Sequence, residues 1–302
     1  MAIIKTSLDS QDFINDFLRM AGKTSVDEFV NDGILVNDSH LNTETESYDI
    51  LVICALPEER EQLFEAFSVP KDVRKRTIQS FRADYNFIYQ KFSYSQYNVA
   101  VVTQNAMGMA AATSLTTRAI LAMQPKIVVM VGICAGRKGK VGLGDIIIAD
   151  QVFDYTAGKK YVDRFAPRPL SFCADDDIRN YVAVSVLNND QLSDSISQAW
   201  RGRRISHRIS IHMKAIASGT AVIDDEQTMM SAAAIQDNLY GIDMEAYGVA
   251  LACSALRTQW LVIKSVQDFA DGKKEQDEGQ VREFAAFASA EMFKKIILNL
   301  LR

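Results

Sequence analysis

From Tyr48 onward the chain alternates continuous apolar runs with segments whose apolar residues recur at helical spacing. "YDILVICA" (48–55) lacks the in–out alternation of a half-exposed strand and reads as a strand buried on both faces. "LPEEREQLFEAF" follows as a helix, with Pro57 suited to a first turn that needs no N–H from it. "NFIYQKFSY" and "YNVAVVTQ" pair as a hairpin, and "GMAAATSLTTRAILAM" is a small-residue helix ending before Pro125. "KIVVMVGICAG" is a buried strand running into glycines, "GDIIIADQVF" is another strand, and "SIHMKAIASGTAVI" is strand-like. "MEAYGVALACSAL" predicts an alanine-rich buried helix carrying Glu245, and "WLVIKSV" a further buried strand. Between Gln280 and Leu300, the residues Val281, Phe284, Ala288, Met292 and Ile296 share one helical face. Strands alternating with helices in this way predict an α/β fold, a three-layer α/β/α sandwich around a central mixed sheet.

Residues 1–47 are patterned differently. Phe13, Ile14, Phe17 and Leu18 fall at helical spacing before Gly22, and "SVDEFVNDGILV" predicts a second short helix with Ser25 as its cap. The polar run 37–47 reads as a linker, which divides the chain into a helical appendage (1–47) and a main domain (48–302). Two short helices bury too little surface to stand alone, so the appendage docks either on the main domain or on another subunit.

Composition narrows the function. With 48% apolar residues the chain has ample core material for a globular domain. A net charge of −5 argues against a broad electrostatic grip on nucleic acid, yet leaves room for a small anion in a local basic pocket. Cys54, Cys134, Cys173 and Cys253 are far apart and form no C-x-x-C pair, so neither disulfides nor zinc are expected. Cys54 and Cys134 read as small buried hydrophobes. No apolar run is long enough to cross a bilayer, and no signal-peptide pattern is present, so no membrane partner and a cytoplasmic location are expected.

Ligands of open α/β sheets gather beyond strand ends. Four ends here carry suggestive residues: Glu58-Glu59, "GICAG", "GIDMEA", and Asp268 with Asp271. Taken singly, most have plain explanations. Glu58 and Glu59 complement a helix dipole, Asp268 or Asp271 caps a helix, and "GICAG" is a tight turn. Met107, Met109 and Met123 read as core. Glu245 resists such an account, because a buried unpaired carboxylate is costly.

Taken together and in this order, "ILVICALPEEREQL", "QNAMGMAAAT", "VVMVGICAGRKGKVGLGDIIIAD", "GIDMEAYGVA" and "VIKSVQDFAD" resemble the purine nucleoside phosphorylase/nucleosidase superfamily. The nearest branch is that of the methylthioadenosine/S-adenosylhomocysteine nucleosidases, AMP nucleosidases and nucleosidase-like anti-phage effectors. The similarity spans roughly residues 48 to 300. It implies a role for each matching position. Asp268 protonates N7 of the departing purine, general-acid work that needs a partly dehydrated pocket to raise its pKa. Glu59 activates the attacking water, and Glu245, beside Met244, binds the ribose hydroxyls. Val222, Ile223 and Phe269 line the base site, backbone near Gln267 reads the purine edge, and Met107, Gly132 and Ile133 complete the substrate contacts. The N-glycosidic bond then breaks early and water adds to an oxocarbenium-like ribosyl, with two carboxylates flanking the bond as in glycoside hydrolysis. Neither metal nor organic cofactor is implied, and Asp271 is left with a structural role.

Water or phosphate as nucleophile is decided by two departures. Ile133 stands where the phosphorylases of that superfamily carry a serine or threonine, and Met130 where they place an arginine. An apolar pair is a poor anion site, which favours hydrolysis. Beyond the ribose, Arg137, Lys159, Lys160, Arg164 and Arg168 form either a solvated basic loop or a phosphate-binding rim for a 5′-nucleotide such as AMP or ATP. Likeness of "GICAGR", "VFDYTAGK", "IHMKAIASG" and "DFADGKK" to AMP nucleosidases and anti-phage effectors favours the nucleotide. In those effectors, loss of adenine from ATP depletes the infected cell under the control of an extra module, a role that residues 1–47 would suit, alone or with a regulatory partner. The alternatives are a methylthioadenosine/S-adenosylhomocysteine nucleosidase and a nucleoside-binding regulator without turnover. A homodimer or higher homo-oligomer, with "VFDYTAGK" closing a neighbour's pocket, completes what the resemblance implies.

Overall fold

The structure is a computed structural model, and it describes residues 48–71, 80–82, 87–203, 205–272 and 278–300. The two helices expected before residue 47, and the linker after them, lie outside those residues.

Strands β1 (Ile50–Cys54), β2 (Ser80–Arg82), β3 (Phe87–Tyr94), β4 (Tyr97–Thr103), β5 (Ile127–Gly136) and β6 (Ile146–Asp154) belong to one sheet with β9 (Ser171–Cys173), β10 (Ile211–Ser218), β11 (Leu239–Asp243) and β12 (Gln259–Asp268). Its order is β11-β10-β6-β12-β5-β1-β4-β3-β2, with β9 paired to β6. The sheet is mixed: β1 runs parallel to β4 and β5, and β12 parallel to β5 but antiparallel to β6. Alternate side chains of β1 show how its two faces are covered. Ile50, Val52 and Cys54 pack with Leu63 and Phe64 of α1 (Pro57–Ala66) and with Phe284 and Phe293 of the last helix, Glu278–Leu300. Leu51 and Ile53 pack with Ala112 and Leu115 of α2 (Met109–Met123) and with Val249 of the helix Ala246–Ala255. A strand sandwiched this way has no polar face, which is why its sequence is an unbroken apolar run.

Several further elements lie between those predicted from the sequence. These are α3 (Asp176–Tyr181, continuing as a π-helical turn to Val186), α4 (Gln191–Ala199), α5 (Glu226–Ile235), strand β9, and the hairpin β7 (Gly158–Lys160)–β8 (Phe165–Pro167). The two helices already described by range become α6 (Ala246–Ala255) and α7 (Glu278–Leu300).

Two expectations need correction. The strand-like run through Ile223 ends at Ser218, so Val222 and Ile223 lie in the loop after β10. Glu245 is not inside a helix: α6 begins one residue later, and Glu245 occupies the cap position. The sheet also closes on itself. β11 pairs antiparallel with the end of β5, through Gly241 with Gly136 and Ile242 with Ala135, so β5, β12, β6, β10 and β11 form a ring. That closure gathers the ends of β5, β11 and β12 around one space. Among the described residues, no helix is long and apolar enough to cross a membrane.

Candidate active site

Two strand ends and two helix starts supply the acids. β1 ends at Cys54, and Pro57 opens α1 at once, leaving Ala55 and Leu56 as the turn. Glu59 sits in the first turn of α1 and folds back on its own start. Its Oε2 accepts from the backbone N–H of Ala55 (2.8 Å) and of Leu56 (3.0 Å), while Oε1 accepts from Ile133 on β5 (3.0 Å). The side chain thus caps the helix, beyond the dipole complement expected of it, and also faces the end of β5. Gly132 makes this approach possible, because a Cβ there would lie 2.1 Å from Glu59 Oε1.

Asp243 ends β11 and collects the next set of contacts. Its Oδ1 accepts from Ser218 Oγ (2.7 Å) and from the N–H of Glu245 (3.2 Å), and Oδ2 from the N–H of Ala246 (3.1 Å), which fixes the start of α6. Glu245 is then held by the N–H of Gly108 at 2.9 Å, where a φ of +103° favours glycine just before α2. On β12, Lys264 is fully buried and pairs with Asp243 at 3.1 Å. Burial alone would pull its ammonium down, but the charges of Asp243, Glu59 and Glu245 hold it above the ordinary lysine value. The carboxylates respond differently. Burial raises Glu59, against the opposing pull of Lys264 and three N–H donors, and burial with the charge of Asp243 raises Glu245.

Asp268 reaches the site through a defect in the ladder. Val266 opposes Cys134 and Asp268 opposes Ala135, so Gln267 is an extra residue that bulges β12 at its exit. A bulge of this kind re-aims the following side chain. Asp268 Oδ1 also accepts from the N–H of Ala270 (3.0 Å), which tightens the loop behind it.

These residues surround one cavity of about 170 Å³. Glu59, Met107, Ile133, Val222, Ile223, Met244, Glu245, Gln267 and Asp268 all line it, together with Leu56, Cys134, Asp243 and Arg282. It offers carboxylates on several walls with apolar surface between them. Among the described residues, no group of three or more His, Cys, Asp or Glu side chains is placed to hold a metal ion.

The profile of the phosphorylase superfamily matches residues 49–302. The chain belongs to this superfamily. Similar proteins include an uncharacterized protein, y4jS, of Sinorhizobium fredii, 36% identical over 209 residues, or 67% of this chain and 50% of that protein. ATP nucleosidase Cap17 of Escherichia coli is 25% identical over 258 residues, or 78% of this chain and 49% of that one. The chain therefore spans about half the length of these curated relatives. Among solved structures of the same fold, 5′-methylthioadenosine/S-adenosylhomocysteine nucleosidase of Neisseria meningitidis, in complex with methylthio-immucillin-A, superposes with a TM-score of 0.61. It shares 18% identity, over 82% of this chain and 97% of that one.

Other expected positions fall elsewhere. Gly132 lies against Glu59, and half-buried Phe269 packs on the apolar cluster beneath α2 and α6, with the Lys138 ammonium 6.0 Å from its ring centre. Met107 does not join the core: it is 58% exposed at the cavity mouth, whereas Met123 is buried. Lys159, Lys160, Arg164 and Arg168 are exposed on or beside the β7–β8 hairpin, where Lys159 and Arg164 lie over Tyr161. Arg137 donates to the Asp237 carbonyl at 2.9 Å. None of these five cations is among the cavity's lining residues. Asp271 pairs with Lys138 at 2.7 Å. Sequence reasoning passed over Lys264, Asp243 and Arg282. A lysine inside the apolar run "WLVIKSV" was a usable signal, since a cation in a strand buried on both faces needs an acid beside it.

Proposed function

We propose that this chain is an adenine-releasing N-glycosidase that hydrolyses an adenine nucleotide, of the AMP or ATP type. The observation that carries this reading is the shared cavity lined by Glu59, Glu245 and Asp268. Asp268, aimed by the bulge in β12, delivers a proton to the leaving purine. Glu59 activates the attacking water, and its raised pKa makes it a stronger base than an exposed glutamate while Lys264 holds it ionised. Glu245, locked to the start of α2 through Gly108, orients the ribose hydroxyls. Bond cleavage runs ahead of water attack, and the carboxylates stabilise the ribosyl cation as it forms. Val222 and Ile223, which line the cavity, contribute the base site.

The absence of an anion cradle at the nucleophile's position supports water over phosphate. Ile133 offers Glu59 its backbone N–H and an apolar side chain, and Met130 is fully buried in β5. The nucleotide substrate follows from the similarity to ATP nucleosidase Cap17 of Escherichia coli. A nucleotide-depleting role in anti-phage defence, control through residues 1–47, and a homo-oligomer whose β7–β8 cations reach a neighbouring cavity belong to the same proposal. Incubation of the protein with ATP, ADP, AMP, adenosine and methylthioadenosine, followed by chromatography of free adenine, tests it. Adenine is expected from the nucleotides, with turnover lost in Asp268→Asn and Glu59→Gln. Release from methylthioadenosine but from none of the nucleotides would defeat it in favour of the methylthioadenosine reading.

A further inference from the structure

The geometry points to Arg282 as the recognition element for the phosphate end of the substrate, an inference that rests on the nucleotide reading above. The cavity is lined by the acids Glu59, Asp243, Glu245 and Asp268, an unfriendly surface for an anionic ligand. Lys264 cannot offset this for a ligand, because it is fully buried and committed to Asp243. Among the described residues that line the cavity, Arg282 is the one with a cationic side chain.

Its placement suits a rim site. Arg282 lies in the first turns of α7, with a side chain 37% exposed. Its guanidinium donates through Nη1 to Gln267 Oε1 (2.9 Å) and contacts Glu58 Oε1 through Nε and Nη2. Gln267 immediately precedes Asp268, and Glu58 immediately precedes Glu59. The guanidinium therefore stands between the end of β12 and the first turn of α1, which carry the proposed acid and base. Glu58 is itself about half exposed, so its carboxylate can turn out to solvent when a stronger acceptor arrives. A phosphate dianion is such an acceptor, since the planar fork of arginine matches its oxygens in a bidentate pair. Glu58 then keeps Arg282 neutralised and extended across the mouth until the phosphate replaces it.

Calorimetric titration of AMP and of adenosine into the Asp268→Asn protein, with and without Arg282→Ala, tests this assignment. Loss of Arg282 is expected to weaken AMP binding about 10- to 100-fold more than adenosine binding. Glu58→Gln is expected to tighten AMP selectively, a gain that a merely structural link between β12 and α1 would not produce. Equal losses of AMP and adenosine with Arg282→Ala, or no gain with Glu58→Gln, would overturn the assignment. Neither outcome depends on turnover. A failed nucleotide reading would show itself separately, in the wild-type screen of released adenine.

Discussion

Replacing Gly132 by alanine isolates the positioning of the proposed base. The new Cβ would lie 2.1 Å from Glu59 Oε1 and 2.6 Å from its carboxyl carbon, so the carboxylate must retreat by about 1 Å to restore contact distance. Retreat is not free, because Glu59 is 1% exposed and tied to the N–H groups of Ala55, Leu56 and Ile133. The bond from Ile133 crosses from β5 to α1, and it is made to Oε1, the oxygen the new Cβ would meet. Overpacking of this size costs about 1–3 kcal/mol of stability, with the low end expected because the obstructing group is a side-chain terminus. Activity should suffer more, since a reacting group displaced by about 1 Å loses on the order of 100-fold in rate. Adenine release by chromatography reads the rate, and urea unfolding reads the stability. A folded Gly132→Ala protein with kcat within about threefold of wild type would refute the role of Glu59, because that misplacement could not be tolerated.

Further outcomes follow from the same contacts. Asp268→Asn keeps an oxygen able to accept from Ala270 N–H, so the loop should survive while base release falls about 100- to 10,000-fold, with unchanged urea stability as the control. Lys264→Met strands Asp243 and Glu59 without their buried cation and should cost about 3–5 kcal/mol in urea unfolding. If the variant folds, the acid limb of its pH–rate profile should move upward, because Lys264 is the strongest of the groups that pull Glu59 down. In the wild type that limb should already lie above 4.5, the ordinary glutamate value, since burial raises Glu59. Stability against pH has a definite sign. Glu59 and Glu245 bind protons more tightly folded than unfolded, so their contribution falls as pH rises from 4.5 through their raised values, and Glu245→Gln should flatten that decline. Lys264 acts at the other end: its contribution is complete below 10.5 and is lost as pH climbs through its raised folded value.

Local pattern carried much of this fold. β1, β5 and β12 are legible because strands covered on both faces need apolar residues at every position, and α7 because its large apolar residues recur at helical spacing, although from Phe284 to Phe293 it is buried on all sides and not on one face alone. What escaped were elements whose signal is not local. α5 buries only Met229, Ala232 and Ala233 of its ten residues, and the β7–β8 hairpin buries almost nothing. The closure of β11 onto β5 depends on backbone pairing between residues about a hundred positions apart. The same limit explains the site. Glu59, Glu245 and Asp268 stand out in sequence as acids beside apolar runs, but the cation among them comes from the middle of β12. Its partner Asp243 looks like an ordinary turn residue until Ser218, Lys264 and the start of α6 converge on it. Nor does a single sequence reveal that Gln267 is the extra residue of a bulge, although that one position decides where Asp268 points.

Hydrolysis in oxygen-18 water is the most direct test of the two-carboxylate reaction. Adenine release from ATP without added phosphate, with one labelled oxygen at the anomeric carbon of the ribosyl product, is the predicted result. A strict requirement for inorganic phosphate with no label in the sugar, or intact ATP after prolonged incubation with folded protein, would contradict it.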